Sequence, residues 1–428
     1  MAVTNQTQAA AYCPVYNPQW FVSTSTQTAQ PNFRYTVVLT DLISGGTVTK
    51  DVDKDPNNLF VFDASSFAEQ YMTQVNPANL YGWQRNTGAT RKVRVNVGET
   101  YGATPTYYAG SNYDYIVWNG SFDFLETQSF NYLNHIYSQA NNIQLITNNK
   151  NPLYSWSPSA SPEHYSLPEN VIAGRSSYLY VHTTAVANEM QSITVIGYDA
   201  NNVVLGTTTI NNQYSSGTTY TDKYVFIDVG YEGLNNMPAG QCTGTYPIPV
   251  STYDHWIVFD TSSWLPQSVP PAEAYTYPLK RFNMVCEERF DITAVHYQSP
   301  EGGFETQVCQ KLSLMTTEAT KSYYSKYPYS LTGYVPGFTY GIAIENVLTA
   351  SSRDKITVNT DWLTEAQIAM LKDVISAPIV YADFGSTSGY VSMKCNNNTF
   401  QVRKKYNDKL LSASFDLEYT HFNVRQRG

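Results

Sequence analysis

SITVIGYDANNVVLGTTTI, residues Ser192–Ile210, is the stretch that decides the fold class. Two runs rich in β-branched residues flank the segment Asp199–Asn202. Asn and Asp tolerate the positive φ angles that a tight hairpin turn requires. The stretch therefore predicts an antiparallel β-hairpin.

Alternation of apolar and polar residues recurs along the chain. In NFRYTVVL, residues Asn32–Leu39, every second side chain is apolar, and Ser44–Gly46 then turn the chain into a return strand. Further strand-like runs are KYVFIDVGY, HWIVFD, RFDITAVHY and KITVNT. Such strands, separated by short polar loops, predict a mainly β, multi-domain antiparallel β-sandwich or barrel protein with a few short helices.

Two segments predict helices. In LTEAQIAMLKDVISAP, Thr364 is a suitable N-cap and Pro378 stops the helix, which places it at about residues 365–376. Its apolar stripe consists of Ile368, Leu371, Val374 and Ile375. In SSFAEQYMTQVNP, Ser66 and Glu69 are spaced as a capping box, and Pro77 ends the run.

Two proline-rich segments, Pro152–Asn170 and Ser263–Arg281, are typical of connections between domains. They predict three domains. These are an N-terminal β domain at 1–150, a middle β-sandwich domain at 151–270, and a C-terminal β domain with the capped helix at 271–428.

The composition limits the classes of function. Charged residues make up 14% of the 428 residues, where about 25% is usual, and there are 36 tyrosines. The net charge of −9 argues against general nucleic-acid binding, which needs a basic surface. Tyrosine suits half-buried sheets and interfaces because its ring is apolar and its hydroxyl tolerates water.

The N-terminal residues have neither a basic segment nor an apolar core, and no stretch of about 18 apolar residues occurs. We therefore expect no membrane insertion and folding in a cytoplasm. The five cysteines follow no metal-binding spacing, which predicts reduced, mostly buried thiols. A disulfide between Cys286 and Cys309 is the alternative.

No pattern of catalytic residues is present. The six histidines are widely spaced, and no nucleophile elbow or phosphate-binding loop occurs. Glu287 and Glu288 are adjacent, so on a strand they point in opposite directions and cannot form the carboxylate pair of a glycosidase. We predict that the chain is not an enzyme and has no catalytic, cofactor or metal site.

Two tyrosine-rich stretches are candidate binding surfaces for a glycan or a neighbouring subunit, because aromatic rings with nearby amides suit both. The candidates are Tyr107, Tyr108, Tyr113, Tyr323, Tyr324 and Tyr327. The alternative is that these rings pack within sheets and subunit contacts.

The last 22 residues, NDKLLSASFDLEYTHFNVRQRG, alternate from Ala413 to His421 and predict a terminal strand. We expect it to form a hairpin with Thr399–Lys405 around a turn at Tyr406–Lys409. Arg425, Gln426 and Arg427 would then contact a neighbouring subunit, where arginine is favoured, or form a solvated end.

Five stretches of the sequence are characteristic: PVYNPQWFVSTSTQTAQPNFRYTVVL, NGSFDFLETQSFNYLNHIY, CEERFDITAVHYQSPEGGFETQ, DWLTEAQIAMLKDVISAPIVY and the C-terminal FQVRKKYNDKLLSASFDLEYTHFNVRQRG. They resemble a family of structural virion proteins from tailed phages that infect Bacteroidetes, crAss-like phages included. Residues 151–250 match no part of the family.

The resemblance implies a virion protein of the tail or head–tail junction, made in the host cytoplasm. Its partners would be further copies of itself, in a ring or layer, and other virion proteins of the tail or portal region. The alternative is a carbohydrate-binding tail or adhesin module that recognises host surface glycans. An enzyme that depolymerises such glycans would need a carboxylate pair that the sequence does not show.

Overall fold

A computed structural model shows a mainly β protein with several antiparallel sheets and three short α-helices in its described part, which confirms the predicted fold class. The structure describes residues 3–9, 12–102, 106–121, 136–139, 142–146, 168–171, 173–183, 191–215, 224–245, 248–260, 278–284, 292–300, 302–325, 329–332, 335–338, 345–363, 368, 371–385, 390–397, 403–404, 411–421 and 423–426.

The chain divides into two compact units. Unit 1 contains Met1–Cys286 and Gln298–Thr306, and unit 2 contains Glu287–Tyr297 and Gln307–Gly428. Most of both proline-rich segments lies outside the described residues, so the three-domain division stays a prediction.

Unit 1 holds helices α1 (Ser65–Glu69) and α2 (Tyr231–Asn235) and nineteen strands. The strands are β1 (Val3–Thr7), β2 (Tyr12–Pro14), β3 (Trp20–Ser25), β4 (Arg34–Asp41), β5 (Thr47–Val52), β6 (Leu59–Asp63), β7 (Gln84–Arg85), β8 (Thr90–Thr100), β9 (Thr106–Trp118), β10 (Ile136–Gln139), β11 (Asn142–Ile146), β12 (Pro168–Val171), β13 (Tyr178–Thr183), β14 (Ser192–Tyr198), β15 (Val204–Asn211), β16 (Tyr224–Asp228), β17 (Cys242–Gly244), β18 (His255–Asp260) and β19 (Pro278–Met284).

Unit 1 has two separate hydrophobic cores. The first lies between the sheet β1-β3-β6 and the sheet β2-β9-β8-β4-β5, where Phe21 and Phe60 meet Val37 and Val95. The second lies between the sheet β10-β11-β13-β16-β7 and the sheet β12-β19-β18-β14-β15-β17. Both cores are filled from alternating inward-facing residues, as expected of sandwiches.

The predicted hairpin at Ser192–Ile210 is confirmed as β14 and β15. The Asp199 carboxylate accepts hydrogen bonds from the backbone N–H groups of Asn201 (2.9 Å) and Val203 (2.8 Å). Asn202 has a φ of 62°, as expected at the turn. The sequence signal and the turn chemistry therefore agree.

Two glycines face each other in this hairpin beneath the buried ring of Tyr253. Gly197 is opposite Gly206, and a Cβ on Gly197 would lie 2.1 Å from Tyr253 Cε2. The ring packs against the sheet only because neither position carries a side chain.

Gly197→Ala is expected to lower the free energy of unfolding by about 1–3 kcal/mol, because overpacking forces the Tyr253 ring out of its site. Chemical denaturation measures the change. Gly240→Ala is the matched control, since a Cβ there would meet nothing within 4 Å. Equal stability of wild type and Gly197→Ala would contradict the described packing.

Unit 2 holds helix α3 (Lys372–Ser376) and the remaining strands, except that Gln298 of β20 and Phe304–Thr306 of β21 belong to unit 1. They are β20 (Thr293–Gln298), β21 (Phe304–Cys309), β22 (Lys311–Ser325), β23 (Tyr329–Thr332), β24 (Val335–Phe338), β25 (Glu345–Asn359), β26 (Val380–Asp383), β27 (Val391–Cys395), β28 (Arg403–Lys404), β29 (Leu411–Ser412), β30 (Ser414–Tyr419) and β31 (Asn423–Gln426).

One eight-stranded sheet dominates unit 2, in the order β21-β20-β26-β27-β30-β25-β22, with β31 also paired to β25. Its core packs residues from these strands, such as Val358 and Phe415, against Ile368, Leu371 and Val374.

The apolar stripe predicted for the helix is therefore buried as expected, except that Ile375 is only half-buried. The helix ends at Ser376, ahead of Pro378. The predicted N-cap Thr364 lies outside the described residues, and α3 itself begins at Lys372, later than the predicted start near residue 365.

The predicted capping box of the first helix is wrong. Helix α1 spans only Ser65–Glu69, and its N-cap is Ala64. The Asp63 carboxylate instead accepts from the backbone N–H of Ser65 (3.0 Å) and of Gln19 (2.8 Å), which starts the helix one residue before Ser66. Helix α2 was not predicted, because five residues carry too little periodicity.

The C-terminal strand exists, and the predicted hairpin is confirmed beside its turn, whereas the rest of the strand pairs with other strands. β30 lies between β25 and β27, while Arg403–Lys404 pair with Leu411–Ser412 in a separate two-stranded ladder. The chain enters the large sheet at Ala413, whose backbone N–H donates to Thr360 Oγ1 at 2.8 Å. Tyr406–Lys409 lie outside the described residues.

Candidate functional site

The longest strands in the described part of unit 2, β22 and β25, form an antiparallel pair that we call the arm. The other side of β25 is covered successively by β30 and β31. β22 is the last strand on its side of the sheet among the described residues. Its outer backbone edge is therefore available for pairing.

The side chains of β22 are exposed throughout Leu314–Ser325. They include Leu314 at 63%, Met315 at 57% and Tyr323 at 57% of full exposure. A long edge strand that exposes apolar side chains pairs readily with another chain, and native proteins normally protect such an edge. The arm is therefore the strongest candidate for an interaction surface.

A tryptophan extends the apolar surface at the base of the arm. Trp362 is 43% exposed, and Lys311 Nζ lies 3.7 Å from the centre of its ring. Asp361 lies 3.7 Å from the same ammonium group. Leu312 is 64% exposed. A partly exposed tryptophan held by a cation–π contact is the type of anchor that interfaces favour.

Several charged side chains of the arm form ion pairs. Lys355 Nζ lies 2.6 Å from Glu318 Oε2, and Arg353 forms an ion pair with Glu418. The hydrogen bond from Arg353, and then one from Asn396, hold the pKa of Glu418 below its usual value. The arm can therefore approach another protein without strong local repulsion.

β22 has a regular geometry over most of its length. Its pairing with β25 runs without a shift from Leu314 opposite Thr357 to Ser322 opposite Thr349, and the next irregularity places the extra residue in β25. Side chains therefore alternate strictly along β22. Leu314 and Tyr324 lie on one face of the sheet, and Met315 and Tyr323 lie on the other.

The structure separates the predicted tyrosine candidates. Tyr323 and Tyr324 lie in β22 on opposite faces, so they cannot form a common platform for one sugar ring. Tyr107 and Tyr108 lie in β9, but their side chains, like Tyr327 as a whole, lie outside the described residues.

Tyr113 has a packing role. Its hydroxyl donates to the Ala9 carbonyl at 2.7 Å, and its ring lies 5.8 Å from that of Phe21. Burial raises the pKa of its hydroxyl. The packing interpretation therefore holds for this tyrosine.

The C-terminal residues lie beside the arm. Arg425 and Gln426 belong to β31, where they pair with Ala350 and Thr349 of β25, while Arg427 lies outside the described residues. Their contact with a neighbouring subunit stays a prediction.

The sequence did not single out the exposed aliphatic residues of the arm, which are Leu312, Leu314, Met315 and Leu348, or Trp362 at its base. Apolar residues in a strand usually face a core, and only the pairing order shows that this strand is a sheet edge. Charge gives no such signal, because three of the fifteen residues of Lys311–Ser325 are charged, a larger share than the 14% of the whole chain.

A buried polar network in unit 1 has a structural role. The carboxylate of Asp228 accepts from the backbone N–H groups of Ser177 and Gly230, each at 3.0 Å, immediately before helix α2. Lys280 Nζ donates to Ser177 Oγ at 3.3 Å. Burial raises the pKa of Asp228 to about 7. These side chains are almost fully buried, which leaves no room for a substrate and suits a role in positioning α2.

The remaining reactive groups do not form a site in the described part of the chain. No group of three His, Cys, Asp or Glu residues there could hold a metal ion. Four cysteines are free thiols: Cys13, Cys242, Cys309 and Cys395. Because Cys309 is free, the alternative Cys286–Cys309 disulfide is wrong. Burial raises the pKa of the Cys309 thiol to about 12. No helix among the described residues is long and apolar enough to cross a membrane.

No protein-family model matches the chain, and no curated protein shows significant similarity to it. The arm therefore carries the functional argument.

Proposed function

We propose that the chain is a structural subunit of a tailed-phage virion, assembling as a homo-oligomeric ring or layer of the tail or head–tail junction. The observation that carries this proposal is the exposed edge strand β22 with its apolar side chains. An isolated protein would risk aggregation through such a strand, whereas a subunit buries it in a permanent contact.

Composition and the family resemblance support the same proposal. Charged residues make up 14% of the chain, which limits repulsion between identical subunits packed side by side. The proposed partners are further copies of the chain and other virion proteins, and its proposed location is the virion. We propose no catalytic step and no cofactor.

Native mass spectrometry of the purified chain, alone and mixed with the other proteins of the particle, tests the assembly. We expect oligomers of defined copy number and incorporation into the particle. A persistent monomer that joins no particle would contradict the proposal.

A second candidate function is carbohydrate binding at the arm, favoured by the 57% exposure of the Tyr323 ring. In a glycan array, Tyr323→Ala should then lose binding while Tyr16→Ala, at another exposed tyrosine, should retain it. Absence of binding by the wild-type chain to any capsule or cell-surface glycan would rule this candidate out.

A further inference from the structure

We propose that the arm binds the arm of a second copy, with the two β22 strands antiparallel about a two-fold axis at Ala319. This inference rests on the proposed function, because it names the partner and register of one assembly contact. The evidence for this contact is the order of residues along β22.

The hydrophobic pattern of β22 is symmetric about Ala319. Leu314 and Met315 lie four to five positions before Ala319, and Tyr323 and Tyr324 lie four to five positions after it. Antiparallel pairing about Ala319 places Met315 opposite Tyr323 and Leu314 opposite Tyr324, at both ends of the contact. Each pair shares one face of the sheet, and aromatic–aliphatic pairs stabilise neighbouring strands.

The charges of β22 favour this register over its neighbours. A two-fold axis between antiparallel strands places one residue opposite its own copy. A two-fold axis at Glu318 would place the Glu318 side chains of the two copies opposite each other, and an axis at Lys321 would do the same for the two Lys321 side chains. Like charges directly opposite each other destabilise strand pairing. An axis at Thr320 would place Tyr323 and Tyr324 opposite threonines, so no apolar pairs would form. Among these four positions, Ala319 alone combines apolar pairs with no like charges directly opposite.

The remaining charges are compatible with the contact. With the axis at Ala319, Glu318 of one copy lies opposite Thr320 of the other copy and diagonal to the other copy's Glu318. Lys355 Nζ lies 2.6 Å from Glu318 Oε2 within each chain, so the diagonal pair is already neutralised. Lys321 lies opposite Thr317. The small Ala319 side chains leave room for close approach at the axis.

The geometry of the strand permits the contact. The regular segment Leu314–Ser325 contains the whole symmetric pattern, and the extra residue at the distal irregularity lies in β25. Pairing joins the two sheets into one continuous sheet and satisfies the outer backbone groups of β22. A two-fold contact links subunits in pairs, so a ring or layer needs a second contact elsewhere.

Cross-linking tests the register. Ala319→Cys places two thiols directly opposite each other, about 5 Å apart between Cβ atoms. The matched control is Ser352→Cys, because Ser352 is opposite Ala319 within the chain and its two copies would lie about 14 Å apart, three strand spacings. We expect a short thiol cross-linker to give dimers of Ala319→Cys in full-length chain, with only background levels from Ser352→Cys and wild type.

A charge substitution tests the energetics. Ala319→Lys places two lysines opposite each other at the axis. Because like charges repel, we expect the dissociation constant of the dimer, measured by sedimentation velocity, to rise about ten-fold or more. Ala29→Lys, at an exposed alanine of unit 1, should leave it unchanged. Circular dichroism confirms that both variants fold, since both alanines are exposed.

The outcomes separate this inference from the proposed function. Assembly without cross-linking at Ala319, cross-linking to a different protein of the particle, or an unchanged dissociation constant for Ala319→Lys would overturn the two-fold arm contact and leave the structural role intact. A wild-type chain that stays monomeric and joins no particle would overturn both.

Discussion

Deletion of Phe415–Gly428 is expected to prevent unit 2 from folding. The deletion removes β30, which lies between β25 and β27, together with the buried side chains of Phe415 and Leu417. Losing a central strand exposes both of its neighbours, and truncating even one buried phenylalanine costs about 3–5 kcal/mol. Hydrogen exchange measures the result as lost protection in β25 and β27.

Deletion of only Arg425–Gly428 is the matched comparison. It removes the end of β31, which pairs with Thr349 and Ala350, but leaves β30 in place. We expect protection in β25 and β27 to persist and assembly to weaken. If the longer deletion also kept full protection, the described strand order would be wrong.

Replacement of Asp228 by Asn is expected to remove a pH dependence of stability. Burial raises the pKa of Asp228 to about 7 in the folded chain, above its ordinary value of 3.8. The folded state therefore binds the proton more tightly. The stability linked to this proton is fully present below about pH 4 and is lost as the pH rises through about 7.

The size of this pH dependence follows from the difference between the pKa of Asp228 in the folded chain and its ordinary value. Each pKa unit corresponds to about 1.4 kcal/mol, so we expect the free energy of unfolding of wild type, relative to Asp228→Asn, to fall by about 2–3 kcal/mol from pH 5 to pH 8. Urea denaturation at both pH values measures it. Asp53→Asn is the control, because the Asp53 side chain is 83% exposed. A difference between wild type and Asp228→Asn that does not change with pH would contradict the burial of this carboxyl group.

The sequence predicted those elements whose signal is local. The hairpin Ser192–Ile210 follows from turn chemistry at Asp199, and the end of α3 follows from Pro378. The hairpin of Arg403–Lys404 with Leu411–Ser412 was predicted, but the pairing of β30 with β25 and β27 was not, because it depends on long-range contacts that alternation does not encode. The first helix was misplaced because the Asp63 carboxylate accepts from the backbone N–H of Ser65, so the helix begins before the predicted N-cap Ser66.

The candidate site was predicted only in part. Tyr323 and Tyr324 were predicted as candidate glycan or interface residues, but their exposure and the adjoining exposed apolar residues follow only from the edge position of β22. Whether an apolar strand faces a core or a partner is decided by which strands pair with it. That information lies in the whole sheet, since neighbours of β22 and β25 come from distant parts of the sequence.

Electron cryomicroscopy of the intact particle is the most direct test of the proposed assembly. We predict several symmetry-related copies of the chain in the tail or head–tail region, with β22 of each copy buried against a strand of another subunit. A particle that lacks the chain, or one in which Leu314–Ser325 face solvent in every copy, would contradict it.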